Sequence, residues 1–138
     1  MIKIKQIIFL LLFCVTFLLL ECRRKVTKVL ISQTYEIEAY DFKEVRIYLQ
    51  KGYDISGYFQ VAPAGRKIGL AVLDQKGYNK WLNDEGFFPI IPPICSDYGR
   101  FSFKAEETGF YYFILDNAFE EDPTDISVFL RVEATYYE

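Results

Sequence analysis

The strongest constraint on the fold is a run of six apolar residues, Phe110 to Leu115, set between Gly109 and the pair Asp116-Asn117. Having no polar face, the run suits a strand covered on both sides, and its aromatic side chains favour a pleated, packed surface. Gly109 can take a positive φ at no steric cost, so the chain can turn sharply into the run. Asp116 and Asn117 end it, because their short side chains bond to nearby backbone and compete with a ladder. The rest of the chain must therefore supply strands to pair with this one and a second sheet to cover it.

Those strands are legible as alternation. Thr34–Tyr40 puts Tyr35, Ile37 and Ala39 on one face and Glu36, Glu38 and Tyr40 on the other. The same period of two places Val45, Ile47 and Leu49 inward in Glu44–Gln50, and Ile55, Gly57, Phe59 and Val61 together in Asp54–Ala62. It recurs with Ile68, Leu70 and Val72 in Lys67–Leu73, with Phe101 and Phe103 in Arg100–Lys104, and with Ile126, Val128, Leu130 and Val132 in Ile126–Tyr137. Turn residues separate the segments at Lys51-Gly52 and Pro63–Arg66. The pattern predicts an all-β fold, an antiparallel β-sandwich of seven or eight strands over residues 34–138.

Between Asp74 and Gly99 the rhythm fails. Three prolines, Pro89, Pro92 and Pro93, and two glycines, Gly77 and Gly86, predict a long loop with no more than a short turn at Tyr78–Leu82 and no amphipathic helix. Loops of this length inside a domain are usually functional or disordered, and Trp81, Leu82, Phe87, Phe88, Ile90, Ile91 and Ile94 argue against disorder.

The amino-terminal residues read as an address. Lys3 and Lys5 precede an apolar run from Ile7 to Leu20, shorter than the ~20 residues that span a bilayer as a helix. Residues 1–21 are thus expected to be a signal peptide and residues 22–33 a tether. Arg23, Arg24, Lys25 and Lys28 follow the run and outnumber the basic residues before it, which opposes export behind an uncleaved anchor. No Ala, Gly or Ser occurs before Ser32, so the small-residue cleavage pattern is missing. Leu19-Leu20-Glu21-Cys22 resembles the lipobox of bacterial lipoproteins, departing from it at Glu21, where that family has a small residue. The resemblance implies lipidation at Cys22 and anchoring in the bacterial cell envelope; an uncleaved signal anchor is the alternative. With Cys22 acylated and Cys14 removed with the signal, Cys95 would stand alone, and no intrachain disulfide could form.

From Gly57 onward a family resemblance accumulates. The segment GYFQV (Gly57–Val61), IGLAVLD (Ile68–Asp74), the Phe101-x-Phe103 strand, AEETGFYYFILDN (Ala105–Asn117) and the closing Val128–Val132 strand resemble, in order and spacing, the GOLD (Golgi dynamics) domain. The resemblance implies a β-sandwich used for protein or lipid recognition without catalysis. Cargo receptors with that domain carry a disulfide that Cys95 alone cannot make, and a coiled coil and membrane span with no counterpart in these 138 residues, so no cargo role transfers.

The chemistry available is narrow. The chain has no histidine, which removes the commonest general base, the usual triads and the standard zinc site. A net charge of -3 and a pI near 5.1 exclude the basic footprint that nucleic acid requires. Asp116, Asn117, Glu120, Glu121, Asp122 and Asp125 do not follow the spacing of a calcium loop and read as turn chemistry, so neither a metal nor another cofactor is expected. No carboxylate pair is fixed for glycoside hydrolysis. Cys95 lacks an activating base and reads as a small packed residue. What remains is aromatic surface. Trp81, Phe87 and Phe88 in the long loop, with Tyr48, Tyr58 and Tyr112 facing outward on strands, are the candidate partner-binding residues, and Tyr40 faces outward with them. They predict a binding module for a protein or lipid partner; the alternative is a carbohydrate-binding accessory domain that stacks sugars on the same rings.

Overall fold

The computed structural model describes residues 3–8, 11–12, 23–86 and 88–138. Among the described residues, eight strands form two four-stranded antiparallel sheets. In chain order they are β1 (Lys25–Ile37), β2 (Phe42–Leu49), β3 (Asp54–Ala62), β4 (Ile68–Asp74), β5 (Ile94–Ser96), β6 (Tyr98–Lys104), β7 (Gly109–Asp116) and β8 (Ile126–Tyr137); one helix, α1 (Gln75–Leu82), lies between β4 and β5. The first sheet runs β1-β8-β3-β6 and the second β2-β7-β4-β5. All but one of the connections between successive strands cross from one sheet to the other, the strand order of a jelly roll.

The run that constrained the sequence is central. β7 pairs with β2 on one side and β4 on the other, and Tyr111 to Leu115 are all buried. Tyr111, Phe113 and Leu115 point into the main core, while Tyr112 and Ile114 point out of the sandwich into a smaller cluster with Leu73, under α1. The helix therefore explains why the strand has no polar face. Between the sheets Phe113 meets Phe101 and Phe103, at centroid separations of 5.6 and 6.3 Å.

Two glycines make room for this aromatic core. On the β3–β6 pair Gly57 faces Phe101 and Phe59 faces Gly99. A Cβ on Gly57 would lie 2.5 Å from Phe101 Cζ, and one on Gly99 2.6 Å from Phe59 Cε1. Each ring thus lies across its opposing glycine, shielding backbone that would otherwise be bare.

Two expectations need correction. Residues 25–33, read as tether, belong to β1, which pairs with β8 from Lys25↔Tyr137 to Ile37↔Ile126. A register shift at Leu30 interrupts the alternation, so only the part after it shows the period of two. The long loop also contains α1 and β5. Asp74 caps the helix, its Oδ1 accepting from Gly77 N at 2.7 Å, and apolar residues at Tyr78, Trp81 and Leu82 occupy the i, i+3, i+4 positions. At eight residues, interrupted by Gly77, the helix owes its stability to the sheet beneath it. Cys22 and the predicted signal peptide beyond residues 3–8 and 11–12 lie outside the described residues. Among those described, no helix is long and apolar enough to cross a membrane.

Candidate functional site: an aromatic-rimmed groove

Register dictates what the outer face of the second sheet displays. One row across it reads Phe42, Asp116, Gly69 and Cys95; the next Glu44, Ile114 and Ala71; the third Arg46, Tyr112 and Leu73. α1 covers the third row. Tyr78 stacks on Tyr112, ring centroids 3.7 Å apart and planes 2° from parallel, and Tyr112 Oη donates to Gln75 Oε1 at 2.8 Å. Tyr78 Oη donates to Glu44 Oε2 at 2.6 Å. That hydrogen bond, reinforced by partial desolvation and the carboxylate's charge, holds the Tyr78 phenol protonated and pushes its pKa up to about 12.

Because α1 ends at Leu82, the first row stays open, and with Ala71 and the buried Ile114 of the second row it lines a groove of about 380 Å³. Gly69, Ala71 and Ile114 lie on its floor, Trp81 overhangs one side, and Tyr40 and Phe119 rim the other. Trp81 meets Phe42 edge to face at 5.4 Å. Gly69 deepens the floor, since a Cβ there would meet only Asp116 Cβ, at 3.7 Å. Asp116 is the one carboxylate in the lining, and its Oδ1 already accepts from Ala118 N at 2.8 Å.

The rim is fixed by Asn117. This side chain, 3% exposed, donates from Nδ2 to the carbonyls of Ile37 at 3.1 Å, Glu38 at 3.0 Å and Thr124 at 2.8 Å. Its backbone N–H donates to Asp41 O at 2.9 Å and its carbonyl accepts from Tyr40 N at 3.3 Å. Tyr40, with φ of 65° and 70% exposed, is held by these bonds in a backbone region that non-glycine residues rarely occupy. Such strain persists only where surrounding structure enforces it, and it is found most often at ligand-contacting positions.

The aromatics singled out from sequence do not form one surface. Trp81 is in the groove, half-buried. Phe88 is 82% exposed beyond it, with the Lys80 ammonium 5.6 Å from its ring, and Phe87 lies outside the described residues. Tyr48 is exposed at the other end of β2, edge to face with Phe110 at 5.3 Å. Tyr58 is on the opposite sheet, beside Tyr98 and Phe129. Tyr112, expected to face solvent, is 4% exposed, because α1 covers it. Cys95, expected to be packed, is exposed, because β5 is a three-residue edge strand with no neighbour beyond it in the sheet. Phe42, Phe119, Gly69 and Ala71 were not singled out as site residues. The available signal was an aromatic residue inside a polar turn, as in Asp41-Phe42-Lys43 and Ala118-Phe119-Glu120.

A second hollow of about 420 Å³ surrounds Tyr58, Arg100, Arg131 and Glu133 on the first sheet. Two of its charged groups are paired with each other, Arg131 with Glu133 at 2.7 Å, and Arg100 Nε donates to the neighbouring Tyr98 Oη at 2.8 Å. Among the described residues no group of three His, Cys, Asp or Glu side chains is placed to hold a metal ion.

No protein-family model matches the chain, and no curated protein matches it. Among solved structures the chain is similar to PliG of Aeromonas hydrophila, a periplasmic lysozyme inhibitor of g-type lysozyme, with a TM-score of 0.47 and 10% identity over 86% of this chain and 90% of that one.

Proposed function

We propose that this chain is a non-enzymatic binding module of the cell envelope, attached to the membrane through Cys22, and that its groove receives an apolar segment of a protein partner. The observation that supports this reading is the preformed apolar floor of Gly69, Ala71 and Ile114 between two aromatic walls, with its rim pinned by Asn117. A rim that needs no ordering on binding lowers the entropic cost of association. A sugar, by contrast, presents hydroxyls that need several hydrogen-bonding partners, and this mostly apolar lining offers few: Asp116, whose Oδ1 is already engaged, the Tyr40 hydroxyl and the Trp81 indole N–H. The GOLD-like segment Ala105–Asn117 is consistent with a recognition role, since it supplies both the floor residue Ile114 and the pinning residue Asn117.

Trp81 is the single tryptophan and reports directly on the groove. Its emission is to be titrated with short peptides bearing Leu or Phe side chains and, separately, with an oligosaccharide panel. Peptides are expected to shift the emission to the blue, and Gly69→Val, which fills the floor, is expected to abolish the shift. A response to oligosaccharides alone would overturn this reading in favour of a carbohydrate-binding domain.

A further inference from the structure

We infer that one end of the sandwich, where β1 starts and β8 finishes, rests on phospholipid headgroups, so that the domain stands upright with the groove held away from the bilayer. The inference rests on the membrane attachment proposed above, and it is the same whether Cys22 carries acyl chains or the apolar run itself stays in the membrane.

Its basis is how little chain separates the apolar run from the fold. The run ends at Leu20 and β1 begins at Lys25. Arg24 is already fixed, its N–H donating to Glu138 O at 3.3 Å and its carbonyl accepting from Glu138 N at 2.9 Å. At most three residues remain as a link, Glu21 to Arg23 behind an uncleaved run or Cys22 and Arg23 behind an acylated Cys22, and fully extended three residues reach roughly 10 Å. The corner at β1 and β8 is therefore kept within about that distance of the membrane.

The chemistry of that corner suits a headgroup layer. Arg23, Arg24 and Lys25 stand in sequence there. Tyr137, 61% exposed, lies opposite Lys25, and Tyr136 stacks on Tyr53 with centroids 4.5 Å apart. Basic residues are drawn to anionic headgroups, and tyrosines favour the boundary between apolar and aqueous phases. Glu138 shares the corner with Arg24 but is outnumbered there by Arg23, Arg24 and Lys25; of the other carboxylates at that end, Asp54 pairs with Lys104 at 3.8 Å, and Glu106 and Glu107 follow β6, at the sheet edge opposite β1.

The groove is at the other end. β2 and β7 run paired from Leu49↔Gly109 near the membrane corner to Phe42↔Asp116 at the groove, seven rises of ~3.3 Å or about 23 Å. Upright placement directs Tyr40 and Phe119 away from the lipid, where a partner can reach them.

The test places tryptophan reporters on the full chain in phosphatidylcholine–phosphatidylglycerol vesicles that carry a nitroxide quencher on the headgroup. Trp81 reports from the second sheet; Tyr98→Trp, in a Trp81→Phe background, reports from the far end of the first sheet. Tyr137→Trp and, should that variant fail to fold, Thr27→Trp report from the corner in the same background. The expected result is loss of emission at the corner and unchanged emission at Trp81 and Tyr98→Trp. Quenching at either distant reporter, or none at the corner in a chain that co-sediments with vesicles, overturns the upright placement while leaving attachment intact. A chain that does not co-sediment overturns the attachment itself and this inference with it.

Discussion

Replacing Asn117 tests whether one buried amide holds the rim of the groove. Asn117→Ala deletes a donor shared by the carbonyls of Ile37, Glu38 and Thr124. An amide has two hydrogens, so the three contacts amount to about two full hydrogen bonds, and each buried carbonyl left unsatisfied costs ~1–3 kcal/mol. Water can reach part of the corner, since Glu38 and Thr124 are exposed. The expected loss is therefore about 2–4 kcal/mol. With ~2.1 cal/mol/K per residue over ~115 ordered residues, that lowers Tm by roughly 8–16 °C. Urea unfolding followed by circular dichroism should show a lower midpoint at unchanged slope, as a local defect in a cooperative fold requires. Asn117→Asp sharpens the test. It aims a carboxylate at three carbonyl oxygens, so at neutral pH it should be less stable than Asn117→Ala. Repulsion raises the folded-state pKa of the introduced carboxyl above its unfolded value, because only the protonated form can donate. The variant's stability should accordingly be higher at acid pH and fall as pH rises through that folded-state pKa. A Tm for Asn117→Ala within about 2 °C of the parent, or an Asn117→Asp variant as stable as Asn117→Ala at pH 7, would refute the reasoning.

Two glycines should respond oppositely to an added side chain. Gly57→Ala drives a Cβ to 2.5 Å from Phe101 Cζ and 2.2 Å from the Arg131 carbonyl, so a loss of about 3 kcal/mol or more is expected in urea melts. The Cβ of Gly69→Val would meet nothing closer than 3.7 Å, and its methyls extend into the open groove, so the variant should change stability by less than ~1 kcal/mol while removing the peptide response of Trp81. Tyr78 should titrate late: its folded pKa, raised to about 12 from an ordinary 10.0, gives a stabilisation that is complete below pH 10 and lost between pH 10 and about 12. Phenolate absorbance and Trp81 emission should both report that window, and a Tyr78→Phe variant with an unaltered profile would contradict the assignment. Intact-mass measurement of the mature protein should give a chain starting at Cys22 with added acyl mass; a product retaining Met1 would exclude lipoprotein processing.

Alternation was legible wherever a strand keeps one face on the core and its register unbroken. Asp54–Ala62, Lys67–Leu73 and Ile126–Tyr137 could each be read because successive side chains point to opposite faces, whatever strands they pair with. The first half of β1 could not, because the shift at Leu30 takes its phase from β8, about 100 residues away. α1 was hidden for a related reason. QKGYNKWL is too short and too poor in helix formers to declare itself, and it is stabilised by rings such as Tyr112 that lie on another strand.

The groove belongs to the same class. That the run Phe110–Leu115 would be covered on both faces followed from composition alone, because an apolar strand has no face to give to water, and it holds from Tyr111 to Leu115 while Phe110, at the start of β7, is exposed. Which rows of the second sheet α1 would cover, and which it would leave open between Trp81 and Tyr40, followed from the pairing of Phe42, Asp116, Gly69 and Cys95 across four strands. Period is a local property, set by the backbone geometry of each residue. A concave site built on strands whose paired residues, such as Phe42 and Asp116 or Gly69 and Asp116, lie far apart in the chain is set by registers that only the folded sheet defines.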